Sequence, residues 1–149
     1  ILNGGKCQIG VESTIINLTT KPTILRFGGL DISEIEKILK RRILIDTKSK
    51  KKIAPGQFHL HYSPGIPLRT NVKKPKNNEA FLLIKKRKIT FKNYYYLSKK
   101  NDLKQAAKNL YSLLRNIKKK GYKMIAVEKI PNIGIGKTIN DRLNRASKY

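Results

Sequence analysis

Residues 53–67, Ile53-Ala-Pro-Gly-Gln-Phe-His-Leu-His-Tyr-Ser-Pro-Gly-Ile-Pro67, constrain the fold more than any other stretch of the chain. Three of the six prolines fall here, with both histidines and a tyrosine, and no helical or strand period runs through them. Proline lacks an amide donor and biases the residue before it toward extended backbone, so the stretch cannot form a helix interior or a buried strand. The globular parts must therefore lie on either side of an extended surface connector. A plain linker would satisfy that pattern. An inert spacer has no use for imidazole and phenol groups, however, so an ordered connector that touches a ligand is the reading set beside it.

Upstream, residues 11–18 (Val-Glu-Ser-Thr-Ile-Ile-Asn-Leu) are rich in β-branched side chains and predict a strand, and 22–25 predict a second ending at Arg26-Phe-Gly-Gly29. Asp31 with Glu34 three residues on reads as a helix start, and Ile32, Ile35, Ile38 and Leu39 give that helix an apolar stripe. Downstream, 80–84, 93–97 and 123–127 predict strands. Asp102 should cap an amphipathic helix with Leu103, Ala106, Ala107, Leu110, Leu113, Leu114 and Ile117 on one face, stopped by Gly121. A last helix is expected from about Gly136–Thr138 to Ala146. Strand, strand, helix, strand, helix implies a small α/β sandwich with a largely parallel sheet.

The single cysteine, Cys7, rules out a disulfide within these residues and fits a reducing, cytoplasmic setting. No apolar run approaches the ~18 residues of a membrane span. The first residues have no signal-peptide pattern and open on a turn-like Asn-Gly-Gly without Met, which suggests part of a longer product. Charge is uneven: residues 1–48 carry a net +3 and residues 49–149 a net +22. Such a field attracts polyanions. An AT-rich codon bias offers a second cause, because the chain is also rich in Ile, Asn and Tyr and 26 of its basic residues are Lys.

Few constellations carry chemistry. Gly10-Val-Glu-Ser-Thr14 sets hydroxyls after flexible backbone, and Arg26 stands at a strand end, where a guanidinium can meet phosphate. Sheet surface and a surface salt bridge are their ordinary alternatives. Gly134-Ile-Gly136 lacks a third glycine and reads as a tight turn into the last helix rather than a dinucleotide site. His59 and His61 have no convergent cysteines, so no protein-bound metal is expected. Asp141, Arg142 and Arg145 on the last helix could form a charged active face, but helix-surface ion pairs are the commoner reading.

Taken in order, Asn3-Gly-Gly5, Gly10-Val-Glu-Ser-Thr14, Ile24-Leu-Arg-Phe-Gly-Gly29, Ala54-Pro-Gly56, His61-Tyr-Ser-Pro64 and Gly134-Ile-Gly-Lys-Thr-Ile-Asn-Asp-Arg-Leu-Asn-Arg-Ala146 resemble the C-terminal half of the long, two-domain threonylcarbamoyl-AMP synthases. The resemblance implies the end of a YrdC-like twisted mixed sheet in residues 1–48, an ordered Pro/Lys-rich linker in 49–76, and a small three-layer Rossmann-like α/β domain in 77–149. It implies synthesis of threonylcarbamoyl-AMP and pyrophosphate from L-threonine, bicarbonate and ATP, for the threonylcarbamoyladenosine modification of tRNA. By the same resemblance Ser13 contacts L-threonine, Arg26 and Tyr62 contact ATP, and Mg2+ arrives with the nucleotide; no catalytic residue is assigned. The chain departs from the family's Arg-Pro-Gly at Arg26-Phe27-Gly28, and the family's triphosphate-gripping Lys/Arg pair and Ser-x-Asn motif have no counterpart in these residues. The expectation is therefore no activity alone, with a separately encoded N-terminal half as a partner. The rival readings are a basic RNA-binding module, with Tyr94-Tyr95-Tyr96 between Lys92 and Lys99 stacking bases, and a non-functional gene fragment.

Overall fold

Two small sheets form the framework of the computed structural model, which describes residues 2, 4–5, 7–47, 54–55 and 63–147. In the first, β1 (Ile15–Asn17) runs antiparallel to β2 (Thr23–Arg26), and β3 (Leu44–Ile45) joins β2 in parallel. The reversal after β1 begins at Asn17, whose Oδ1 accepts from the amide and hydroxyl of Thr19 at 2.9 and 2.7 Å. Helix α1 (Ile32–Leu39) crosses from β2 to β3, with Asp31 Oδ1 accepting from the Ser33 amide at 3.1 Å. Ile24, Ile32, Ile35 and Ile43 make its core. The apolar stripe expected to run on to Ile38 and Leu39 is buried only in its first half. Ile38 is 80% exposed, because this four-residue core ends a turn earlier and Lys40 (φ 51°) stops the helix.

The second sheet is wholly parallel. Its order is β4 (Leu68–Arg69), β7 (Ile125–Val127), β5 (Ala80–Leu83), β6 (Tyr94–Tyr96). Helix α2 (Leu103–Lys119) follows the predicted pattern closely. Asp102 Oδ1 accepts from the amides of Lys104 (2.8 Å) and Gln105 (3.3 Å), Ala106, Ala107, Leu110, Leu114 and Ile117 are buried, and Gly121 takes φ 85° just beyond the end. Helix α3 (Gly136–Ala146) packs beside it, and both lie on the face made by Ala80, Leu82, Ile84, Ile125 and Val127. Strand alternation turns Phe81, Leu83 and Ala126 to the opposite face, where Val72, Tyr94 and Tyr96 cover them. The expected three layers are thus two among the described residues: helices cover one face, and loop and strand side chains close the other.

Residues 68–69 lie inside the stretch read as connector, yet they pair with β7, and the Pro67 carbonyl accepts from the Ile125 amide at 3.0 Å. Nearby, Glu79 receives Arg69 Nε at 2.9 Å, Arg69 Nη2 at 2.6 Å and the Lys76 amide at 2.6 Å. The Arg69 hydrogen bonds hold its carboxyl below the usual carboxylate range.

Candidate ligand site at the junction of the two units

Arg26 ends β2 and is only 7% exposed. Its Nε and Nη2 donate to the Ser13 carbonyl at 3.2 and 2.9 Å, Nη2 also reaches Ser13 Oγ at 3.1 Å, and Nη1 donates to the Pro55 carbonyl at 3.2 Å. Two of the three residues singled out from the sequence therefore meet, and the connector touches Arg26 through Pro55. The surface ion pair considered for Arg26 is not what forms: these partners are a backbone carbonyl on each side and a hydroxyl. Tyr62 lies outside the described residues.

The segment 12–14, expected as strand, runs instead as an irregular stretch zipped to the turn after Arg26. The Gly29 amide donates to the Glu12 carbonyl at 2.8 Å, and Thr14 Oγ1 donates to the Leu30 carbonyl at 2.8 Å. Gly28 is required by this approach, since a Cβ there would lie 2.1 Å from the Thr14 nitrogen and 2.2 Å from the Ser13 carbonyl carbon.

Helix α3 holds both strips from the other side. Arg142, 1% exposed, donates through Nε and Nη2 to Glu12 Oε2 at 3.2 and 3.0 Å, and Nη2 also reaches the Phe27 carbonyl at 2.7 Å. Thr138 Oγ1 donates to the Gly28 carbonyl at 2.8 Å. Arg145 Nη2 donates to the Thr47 carbonyl at 3.1 Å, near the end of the first unit, while Asp141 orients Arg142 (2.5 Å) and Arg145 (3.0 Å). The helix-surface reading of these residues is corrected. The Asp141–Arg145 pair exists, but Arg142 and Arg145 are buried against the first unit. A signal was available: 138, 142 and 145 repeat at i, i+4, i+7, the spacing of a packed helix face, written in polar residues.

A separate cleft of about 690 Å³ opens at the same junction, lined by Ile9, Gly29, Asp31, Asp102, Ile133 and Gly134 among others. Neither Ser13 nor Arg26 lines it. Among the described residues no three His, Cys, Asp or Glu side chains converge on one point, and no helix is long and apolar enough to cross a membrane.

Residues 30–148 match the family model described as threonylcarbamoyl-AMP synthase, C-terminal domain. The chain belongs to this family. The threonylcarbamoyl-AMP synthase of Pyrococcus abyssi is 31% identical over 170 residues, covering 100% of this chain and 49% of the relative. The threonylcarbamoyl-AMP synthase of Bacillus subtilis is 28% identical, covering 99% of this chain and 48% of the relative. The chain thus spans about half the length of these curated relatives. The crystal structure of P. abyssi Sua5 complexed with L-threonine superimposes with a TM-score of 0.81 at 29% identity, over 98% of this chain and 48% of that one. A P. abyssi Sua5 variant with an adjacent histidine and tyrosine changed to alanine gives 0.76 at 27% identity, over 98% of this chain and 47% of that one. The threonylcarbamoyl-AMP synthase C-terminal domain family thus accounts for nearly all of the second unit and for α1 and β3 of the first.

Proposed function

We propose that this chain serves as the C-terminal portion of an L-threonylcarbamoyladenylate synthase, which forms threonylcarbamoyl-AMP and pyrophosphate from L-threonine, bicarbonate and ATP for the modification of tRNA. The observation that carries the reading is the junction of Ser13 and Arg26 at 3.1 Å, beside Pro55 of the connector, in a fold that superimposes on a threonine-bound relative. In this reading the Ser13 hydroxyl engages the amino acid. Arg26 fixes the Ser13 backbone and offers its guanidinium to the nucleotide phosphates. Mg2+ comes with ATP rather than from a protein cage.

Tyr62 belongs to the chain's single His-Tyr pair, His61-Tyr62, and in this reading covers the nucleotide from the connector. That a histidine–tyrosine pair was the target of substitution in the P. abyssi relative supports looking there first.

The test is pyrophosphate release from ATP, L-threonine and bicarbonate. It is run with the chain alone and with the chain joined to the half of the P. abyssi relative that it does not match. Activity in the joined protein that is lost with Arg26→Ala and Ser13→Ala supports the reading. A folded joined protein that releases no threonine-dependent pyrophosphate removes it.

A further inference from the structure

We infer that Arg142 is a positioning residue for the Ser13–Arg26 site, an inference that rests on the functional reading above for its chemistry but not for its geometry. One guanidinium holds the residue before Ser13, through Glu12 Oε2, and the residue after Arg26, through the Phe27 carbonyl. Those two strips are the ones whose separation fixes Arg26 against Ser13. Thr138 holds Gly28 one step further along, and Arg145 holds Thr47 near the end of the first unit. A single face of α3 thus sets the register of both strips that meet at the site, 12–14 and 26–28.

Burial makes the arrangement stiff. Arg142 is 1% exposed, and because a guanidinium there stays charged, any donor left without a partner is costly. Its planar fork also fixes direction, so Glu12 and Phe27 cannot shift independently without breaking one bond of the set. A lysine keeps the charge but is a point donor on a flexible stem, and it cannot reproduce the fork. The residue acts at a distance: it touches the neighbours of Ser13 and Arg26 and reaches ligand only through them.

The experiment uses the full 149-residue chain with Arg142→Met and the conservative Arg142→Lys. Solvent exchange of the Arg26 Nε–H is followed by NMR, with the Leu82 and Val127 amides as reporters of the second unit. In Arg142→Met the Arg26 Nε–H should exchange at least about tenfold faster while the two reporters keep their protection. Arg142→Lys should fall between that variant and the parent. Arg26 exchange within about twofold of the parent in Arg142→Met would overturn the inference. Should Arg142→Met fail to fold, Glu12→Ala removes the same latch from the other side, and an unchanged Arg26 signal there overturns it equally.

A second arm measures kinetics in the joined protein. Arg142→Met should lower kcat/KM for L-threonine by roughly tenfold to a hundredfold per folded molecule. A merely stabilising role leaves kcat and KM unchanged per folded molecule, and that result overturns positioning. If the parent itself releases no pyrophosphate, the functional reading falls while hydrogen exchange still decides on Arg142.

Discussion

Gly28→Ala is the substitution whose cost can be worked most directly from the structure. The added Cβ would stand 2.1 Å from the Thr14 nitrogen, 2.2 Å from the Ser13 carbonyl carbon and 2.5 Å from the Glu12 carbonyl oxygen. These are backbone atoms, so no rotamer change relieves the clash, and ordinary contact begins at 3.4 Å. The strips 12–14 and 28–30 must therefore separate by on the order of 1 Å. The hydrogen bonds that join them, Gly29 to Glu12 and Thr14 to Leu30, are both 2.8 Å long and would pass beyond useful range. Overpacking costs about 1–3 kcal/mol and each lost bond about 1 kcal/mol, giving about 3–5 kcal/mol together. For a chain of this size that is a fall in Tm of roughly 8–15 °C. The chain has no Trp, so far-UV circular dichroism is the direct assay. Amide exchange should add that Ile24 and Ile35 lose protection before Leu82 and Val127, because the damage lies on the first unit's side of the junction. A Tm within about 3 °C of the parent would refute the reasoning.

Three further outcomes concern titration and the second sheet. Because the Arg69 hydrogen bonds depress the Glu79 pKa below its ordinary 4.5, this group contributes stability at pH values above that figure and loses it as pH falls through the folded value. The Tm gap between the parent and Glu79→Gln should therefore narrow between pH 7 and pH 3, and a constant gap would contradict the assignment. Burial, with a hydrogen bond and charge interaction from Tyr122, pushes Tyr95 up to about 12, so the folded state holds a proton that the unfolded state releases near 10. Stability should decline as pH rises from about 10 toward 12, less steeply in Tyr95→Phe, as alkaline thermal scans will show. The Tyr96 hydroxyl is buried with no hydrogen-bond partner among the described residues, so Tyr96→Phe should leave stability unchanged or raise it by up to about 1 kcal/mol in urea denaturation.

What the sequence made legible follows the reach of local physics. Helix α2 was readable from end to end because three independent signals agree on it: a capping Asp102, a 3.6-residue apolar stripe and Gly121. Strands β3 and β4 were not, since two residues carry no period, and β4 is defined by what it pairs with rather than by what it contains. The layer count failed for a related reason. A strand such as Phe81–Leu83 has both faces buried, and nothing in it says whether a helix or a loop lies above. At the site, Ser13 and Arg26 were found from their motifs. Arg142 was missed because a charged residue on a helix is ordinarily solvated, and its true partners, Glu12 and Phe27, lie 130 and 115 residues away.

That separation has a consequence during synthesis. The face of α3 that fastens residues 12–28 is translated well over a hundred residues after them, a delay of roughly 6–25 s at ordinary elongation speeds of about 5–20 residues per second. Through that interval the first three strands have no α3 to dock on, with Leu18, Leu44 and Ile45 exposed even in the finished fold. Ribosome-bound chains stopped before Gly136 should therefore be the ones that recruit chaperones, and release of the last helix should end that engagement.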